Sequence, residues 1–261
     1  MPPMGVPAGV SAARPPAESL RTVEQVRGYL TTVPAGQIPD LKGLDLSGLD
    51  FTDIDFRKAD LTGARLAGSH FDRANLFATD FTDAVASDAS FLDANLDACT
   101  LRRTDLQRAV LRRASLFATI IEAADLRDAD LRDTRIIAYL RKANLAGANL
   151  AGTNAGADPS NQSMGVMRAQ FVGANLSGAD LTGANLFKAD FSYADLSGAR
   201  LNGANLGFAE LVGTDLSRAD VTDADVARAD LYGANFTGAT GVASLRGLDL
   251  AHNKDKAVFD Q

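Results

Sequence analysis

From Leu41 onward a large apolar residue recurs at every fifth position, opening with LKGLD LSGLD FTDID FRKAD LTGAR. The beat holds through Ile136, loses one residue, and resumes at Leu140, Leu145 and Leu150; a second run extends from Phe171 to Phe236. Two residues before each beat stands a small residue, as at Ala59, Ala64, Ala74, Ala84 and Ala94, then Cys99, Thr104 and Ala109. A period of five fits neither regular structure, because five helical residues rotate about 500° and five strand residues reverse the face. The chain must therefore turn a corner in every unit. One large and one small residue pointing inward, with three residues outward, describe one side of a polygonal coil whose successive turns stack.

The charges count the sides. Every twentieth residue gives Asp53, Arg73, Asp93, Arg113 and Asp133, and a neighbouring column gives Asp88, Arg108 and Asp128. Signs alternate along both columns, and Arg102 with Glu122 adds a further pair at the same separation. Cross-strand neighbours about 4.8 Å apart favour opposite charges, so the alternation predicts twenty residues, hence four units, per coil.

The units ADLTG at 59–63, ANLSG at 174–178, ADLTG at 179–183 and ADLSG at 194–198 match the pattern A(D/N)LXX. On them the chain resembles the pentapeptide repeat family. That resemblance implies an all-β solenoid, the right-handed quadrilateral parallel β-helix; about forty units then make about ten coils and a rod roughly 45–50 Å long.

Each open end of such a rod needs a cap. Residues 1–21, rich in proline, read as a disordered lead-in. Residues 22–34 read as a short capping α-helix: Thr22 and Gln25 form a capping box, Val23, Val26, Leu30 and Val33 recur at helical spacing, and Pro34 stops it. The repeats then occupy 39–155 and 171–250, with Leu245 and Leu250 keeping the beat. Between them GADPSNQSMGVMRAQ, residues 156–170, reads as an inserted loop, and residues 251–261 as a tail covering the end with Val258 and Phe259.

Composition narrows the chemistry. A formal net charge of −7 and a pI near 4.9 argue against direct nucleic-acid binding, which needs basic surface. No apolar run approaches the roughly 18 residues of a membrane span, and the N-terminus has no charged region followed by an apolar stretch, so a cytoplasmic setting is expected. Cys99 occupies an alanine slot, His70 an outward position and His252 the tail; none lies in a metal-spaced cluster. No G-x-S-x-G, Walker A or G-x-G-x-x-G sequence occurs, and the aspartates that precede each beat follow from the repeat. The basic cluster Arg102, Arg103, Arg108, Arg112 and Arg113 has acids one coil away. No catalytic residue, cofactor or metal is expected.

Binding is the remaining role. If the insertion returns the chain to the same frame, Phe77, Phe117, Ile137, Phe187 and Phe208 fall on one outward face, and Val172, Tyr193, Val212 and Tyr232 on the adjacent one. Aromatic residues gathered on one side suggest an interface for an unidentified protein partner. Met164, Val166, Met167 and Arg168 in the insertion are further contact candidates, since loops on rigid scaffolds often carry recognition. A homodimer along the same faces is equally compatible. The family resemblance implies an alternative: some members bind DNA gyrase or topoisomerase IV by mimicking duplex DNA, protecting against quinolones or related toxins. The negative charge fits, although the Arg-bearing middle coils interrupt any acidic surface.

Overall fold

The computed structural model describes residues 10–13, 16, 20–157 and 168–260. Among them the five-residue unit is one side of a four-sided coil. Its small and large residues point inward, and the residue between them bridges in parallel to its counterpart one coil away. The bridge separation is twenty residues from Asp40↔Asp60 to Val110↔Asp130. One bridge column runs Asp40, Asp60, Asp80, Thr100, Ile120, Tyr139, Gln170, Asp190, Glu210, Asp230 and His252, which encloses ten complete turns.

The sides are designated first to fourth by the units centred on Leu41, Leu46, Phe51 and Phe56 and those stacked on them. The residue before each large one explains the Asp/Asn preference. Its side-chain oxygen accepts the N–H two residues on, as in Asp45 from Ser47 at 3.2 Å and Asp180 from Thr182 at 2.9 Å, and this bond starts the turn. The second turn residue then has positive φ, whether glycine, as at Gly63, or not, as at Asp88. The interior is predominantly apolar. Large residues such as Leu61, Phe91 and Leu206 are buried, and phenylalanines stack along the axis at one-rung spacing: Phe71 on Phe91 at 5.2 Å, Phe171 on Phe191 at 4.7 Å. Where threonine replaces alanine in the small slot, its hydroxyl donates to a backbone carbonyl, one coil away for Thr104 to Phe81 at 2.9 Å and within its own unit for Thr134 to Leu131 at 2.6 Å. Cys99 follows suit, its Sγ lying 2.8 Å from the Leu76 carbonyl oxygen, and burial pushes its thiol pKa up. It is a core residue.

The first end is capped by helix α1, Val23–Thr32, with the reciprocal Thr22/Gln25 capping box formed. Val26 is buried, and Tyr29 accepts the Asp40 N–H at 2.9 Å, which seats the helix on the first coil. The lead-in contributes more than disorder: Ser11 bridges to Ile38, and Ala12 and Leu20 are buried.

Three further expectations are corrected. The lost residue falls where β1 (Ser115–Ile120) and β2 (Arg135–Tyr139) pair, with a register shift after Phe117 and Ile137. One residue short, β2 lacks the positive-φ turn residue that Ala118 supplies in β1, and Ile137, between the inward Ile136 and Ala138, is only 3% exposed although it stands outside the main core cluster. It therefore offers no exposed surface to the outward stripe. The insertion is shorter than 156–170, because Ala155, Ala157 and Gln170 keep coil hydrogen bonds to Asn185, Phe187 and Ala138. The bridge separation across it is 31 in place of twenty. Finally, residues 251–258 are no detached tail. Bridges at Thr240, Arg246, His252 and Val258 show units of six residues, each opened by a left-handed residue, Gly241, Gly247 or Asn253. This lengthened unit swings Leu250 outward, while Phe259 stacks on Phe236 at 4.9 Å as another rung would.

Candidate functional site

The frame is restored after the insertion, so the outward aromatic residues line up. Phe77, Phe117, Phe187 and Phe208 lie on turns that follow the fourth side, and Val172, Tyr193, Val212 and Tyr232 on turns that follow the first. They are unequal. Phe117 is half-buried beneath Arg135, whose Cζ lies 4.5 Å from the ring centroid, and Phe77 is isolated at 40% exposure. Val172 and Val212 are half-buried. Phe208 at 43%, Tyr232 at 55% and Tyr193 at 70% are exposed, and they share consecutive coils with Phe187.

Two rings in this group rest on glycines. Phe187 leans over Gly207 on the next rung, where a Cβ would stand 3.3 Å from Phe187 Cδ2. Gly207 does not have positive φ, so its turn does not require glycine; the ring does. Tyr193 lies over Gly213, where a Cβ would meet Cδ1 at 2.8 Å. Phe187 and Phe208 pack edge to face at 5.4 Å. Lys188, Phe208 and Arg228 occupy one turn position on successive rungs, and Lys188 Nζ and Arg228 Cζ lie 5.7 and 5.5 Å from the Phe208 centroid.

Tyr193 and Phe208 are also the aromatic residues with positive φ, at 59° and 57°. A left-handed conformation costs a non-glycine residue about 1 kcal/mol, and glycine fills most equivalent turns in these coils. Exposed rings held there act against local conformational preference.

The inserted segment leaves and returns at the junction of the fourth and first sides, between the two rows of aromatic turns. Met164, Val166 and Met167 lie outside the described residues. Arg168 marks the return: its Nη1 lies 2.7 Å from Glu210 Oε1 and its Nη2 3.5 Å from Asp190 Oδ2, so it clamps two adjacent rungs of the first side. The sequence signalled the loop and the rings separately; their adjacency, and the participation of Lys188 and Arg228, came from the winding of the coil.

Elsewhere many charges pair within the rod. Arg73, Arg103, Arg108 and Arg113 grip Asp53, Asp83, Asp88 and Asp93 through paired nitrogens at 2.6–2.8 Å, and these hydrogen bonds hold the carboxyl pKa values below their usual range. The basic cluster is thus mostly neutralised. Asp50, His70 and Ser90 occupy successive rungs, but Asp50 accepts from its own turn and the Ser90 hydroxyl donates to Asp72. Among the described residues no hydrogen bond joins them into a relay, and no group of His, Cys, Asp or Glu is placed to hold a metal ion. No described helix is long and apolar enough to cross a membrane.

A family model described as pentapeptide repeats matches eight copies, at residues 40–76, 94–133, 167–203 and 199–238, more than half of the chain. The protein belongs to the pentapeptide repeat family, and no catalytic family is indicated. Among solved structures it is similar to QnrB1, a plasmid-mediated fluoroquinolone resistance protein, in a trypsin-treated form: 18% identity, 85% of this chain and 99% of that one covered, TM-score 0.56. It is also similar to HetL, involved in heterocyst differentiation regulation in the cyanobacterium Nostoc sp. strain PCC 7120, at 25% identity over 91% of this chain and 99% of that one, TM-score 0.35. No curated protein sequence matches the chain significantly.

Proposed function

We propose that the protein is a non-enzymatic, rigid scaffold that binds a protein partner through the aromatic turns bordering the first side in its C-terminal coils. The observation that carries this reading is the placement of exposed Tyr193 and Phe208 in left-handed turns that glycine fills more cheaply. Conformational strain of this kind concentrates at functional sites. Phe187, seated on Gly207, and Tyr232 extend the surface, and Arg168 holds the return of the insertion beside it. The setting is cytoplasmic in this proposal, and a second copy of the chain is an admissible partner, which sedimentation at micromolar concentration tests directly.

The double variant Tyr193→Gly/Phe208→Gly tests whether the rings serve the fold. Relief of left-handed strain offsets lost ring packing, so stability in a urea melt is expected within about 1 kcal/mol of the parent. A loss above about 2 kcal/mol assigns the rings to the fold and removes the reading.

The likeness to QnrB1 over nearly its whole length, with the net charge of −7, supports a second reading: a DNA-mimicking modulator of DNA gyrase or topoisomerase IV. Carboxylates on the first three sides of the C-terminal coils, such as Asp190, Asp195 and Asp220, would supply the acidic surface. A gyrase supercoiling assay with and without a fluoroquinolone tests it; inhibition or drug protection at low micromolar protein supports it, and absence of both eliminates it.

A further inference from the structure

The charge around the aromatic turns specifies a class of partner. Among the described residues from Asn154 to Arg228 the fourth side and its turns carry one carboxylate, Asp225, which accepts the Ala227 N–H at 2.9 Å. The other outward bridge positions on this side are Asn154, Asn185 and Asn205, whose amides hydrogen-bond along the axis at 3.0 and 3.3 Å. Against that neutral column stand Lys188 and Arg228. Among the described residues neither forms an ion pair, whereas Arg73, Arg103, Arg108 and Arg113 each have an aspartate one rung away. The first side in the same coils carries Asp190, Glu210 and Asp230, the first two paired with Arg168. On an acidic rod, two cations without a carboxylate partner flank one exposed ring.

Resting on the scaffold reading, we infer that the strip Lys188, Phe208 and Arg228, with Phe187 beside it, docks an extended acidic segment of a partner protein. Lys188 and Arg228 lie two rungs apart, about 10 Å along the axis. A polyproline-II segment repeats its edge every three residues, about 9.3 Å. Carboxylates three residues apart therefore meet both cations while an apolar side chain between them covers the Phe208 and Phe187 rings. The Asn185 and Asn205 amides line the backbone of such a segment with donors and acceptors of no net charge. Single-stranded nucleic acid also stacks on rings beside cations, but it needs a positively charged groove that tracks its backbone, whereas this strip offers two cations on a chain of net charge −7.

A random-peptide library displayed on phage, selected on the full-length protein, tests the inference without knowledge of the natural partner. Enriched peptides are expected to carry Asp or Glu three residues apart around an apolar residue. A synthetic peptide from that set should bind the Lys188→Gly/Arg228→Gly protein about tenfold more weakly, and the parent more weakly as NaCl rises. Both substitutions fall on positive-φ turns that glycine tolerates, so an unchanged thermal melt certifies the fold. Enriched peptides without acidic bias, acidic peptides indifferent to the double substitution, or tighter binding of oligo-dT would each overturn the acidic-segment assignment while leaving the scaffold reading standing. Failure of any peptide to enrich over the Tyr193→Gly/Phe208→Gly protein would overturn both.

Discussion

The coils from Arg73 to Lys142 and those from Gly147 to Gly238 share one interior and use their turns in opposite ways. In the first region the left-handed turn position never holds glycine; Arg73, Ala78, Asp83, Asp88, Asp93, Arg103 and Arg108 are among its occupants. Its strained turns carry the Asp–Arg ladder, so the side chains that bear the strain are consumed in holding one coil in register with the next. In the second region glycine takes most of these positions, and the exceptions include Lys188, Tyr193, Phe208 and Arg228. There the rings remain largely exposed. One repeat unit thus supports two uses of a strained corner, satisfied inside the rod or left open toward a partner.

The comparison breaks first at the core if the regions are built differently. Phe91→Ala and Phe191→Ala remove stacked, fully buried rings from the two regions, and each should cost about 3–5 kcal/mol in chemical denaturation. Clearly unequal costs would mean that the interiors are not equivalent. Turn swaps are the next sharpest probe. Ala98→Gly should stabilise and Gly183→Ala destabilise by up to about 1 kcal/mol each, because both positions have positive φ with room for a Cβ; matched thermal melts read the opposite signs.

Acid separates the regions more gently. Arginine hydrogen bonds keep Asp83 and Asp88 below the usual 3.8, so their stabilisation is full above that value and is lost as pH falls through the lower folded pKa. Substituting Arg103→Gln and Arg108→Gln should therefore flatten the acid limb of stability against pH, lowering stability at neutral pH and leaving it unchanged below the folded pKa. In the glycine-rich region Asp220, held by Thr222 and Asn202 to about 2, should keep its advantage over Asp220→Asn above pH 3.8 and lose it on approach to pH 2. The smallest effect is expected for added NaCl, which should weaken the exposed Asp–Arg ladder and leave the C-terminal core unaffected.

Much of this architecture is readable before folding. Alternating charge at twenty-residue spacing predicts the very pairs Arg73–Asp53 and Arg113–Asp93. The site is less legible. Tyr29 looks like an ordinary helix residue until Asp40 arrives beneath it, and Arg168 like a loop residue until Asp190 and Glu210 stack beside it. Ile137 counts as outward and exposed in any fixed five-residue frame; its burial to 3% is decided only when the shortened coil closes. The six-residue units after Thr240 escape a five-residue search because their left-handed residues, Gly241, Gly247 and Asn253, change spacing along with the bridges.

By itself the sequence determined what is local and periodic: the corner in every unit, the inward residues, the Asx-type start of each turn and, through charge alternation, four sides to a coil. These follow from covalent geometry and from interactions within one unit or one rung. The tertiary structure alone decided what depends on accumulated winding. An insertion, a missing residue and a stretched final coil each alter which distant turns share an edge. That Lys188, Phe208 and Arg228 form one column beside the Arg168 clamp is a property of the stacked rod, because rung contacts are made only once the coils close.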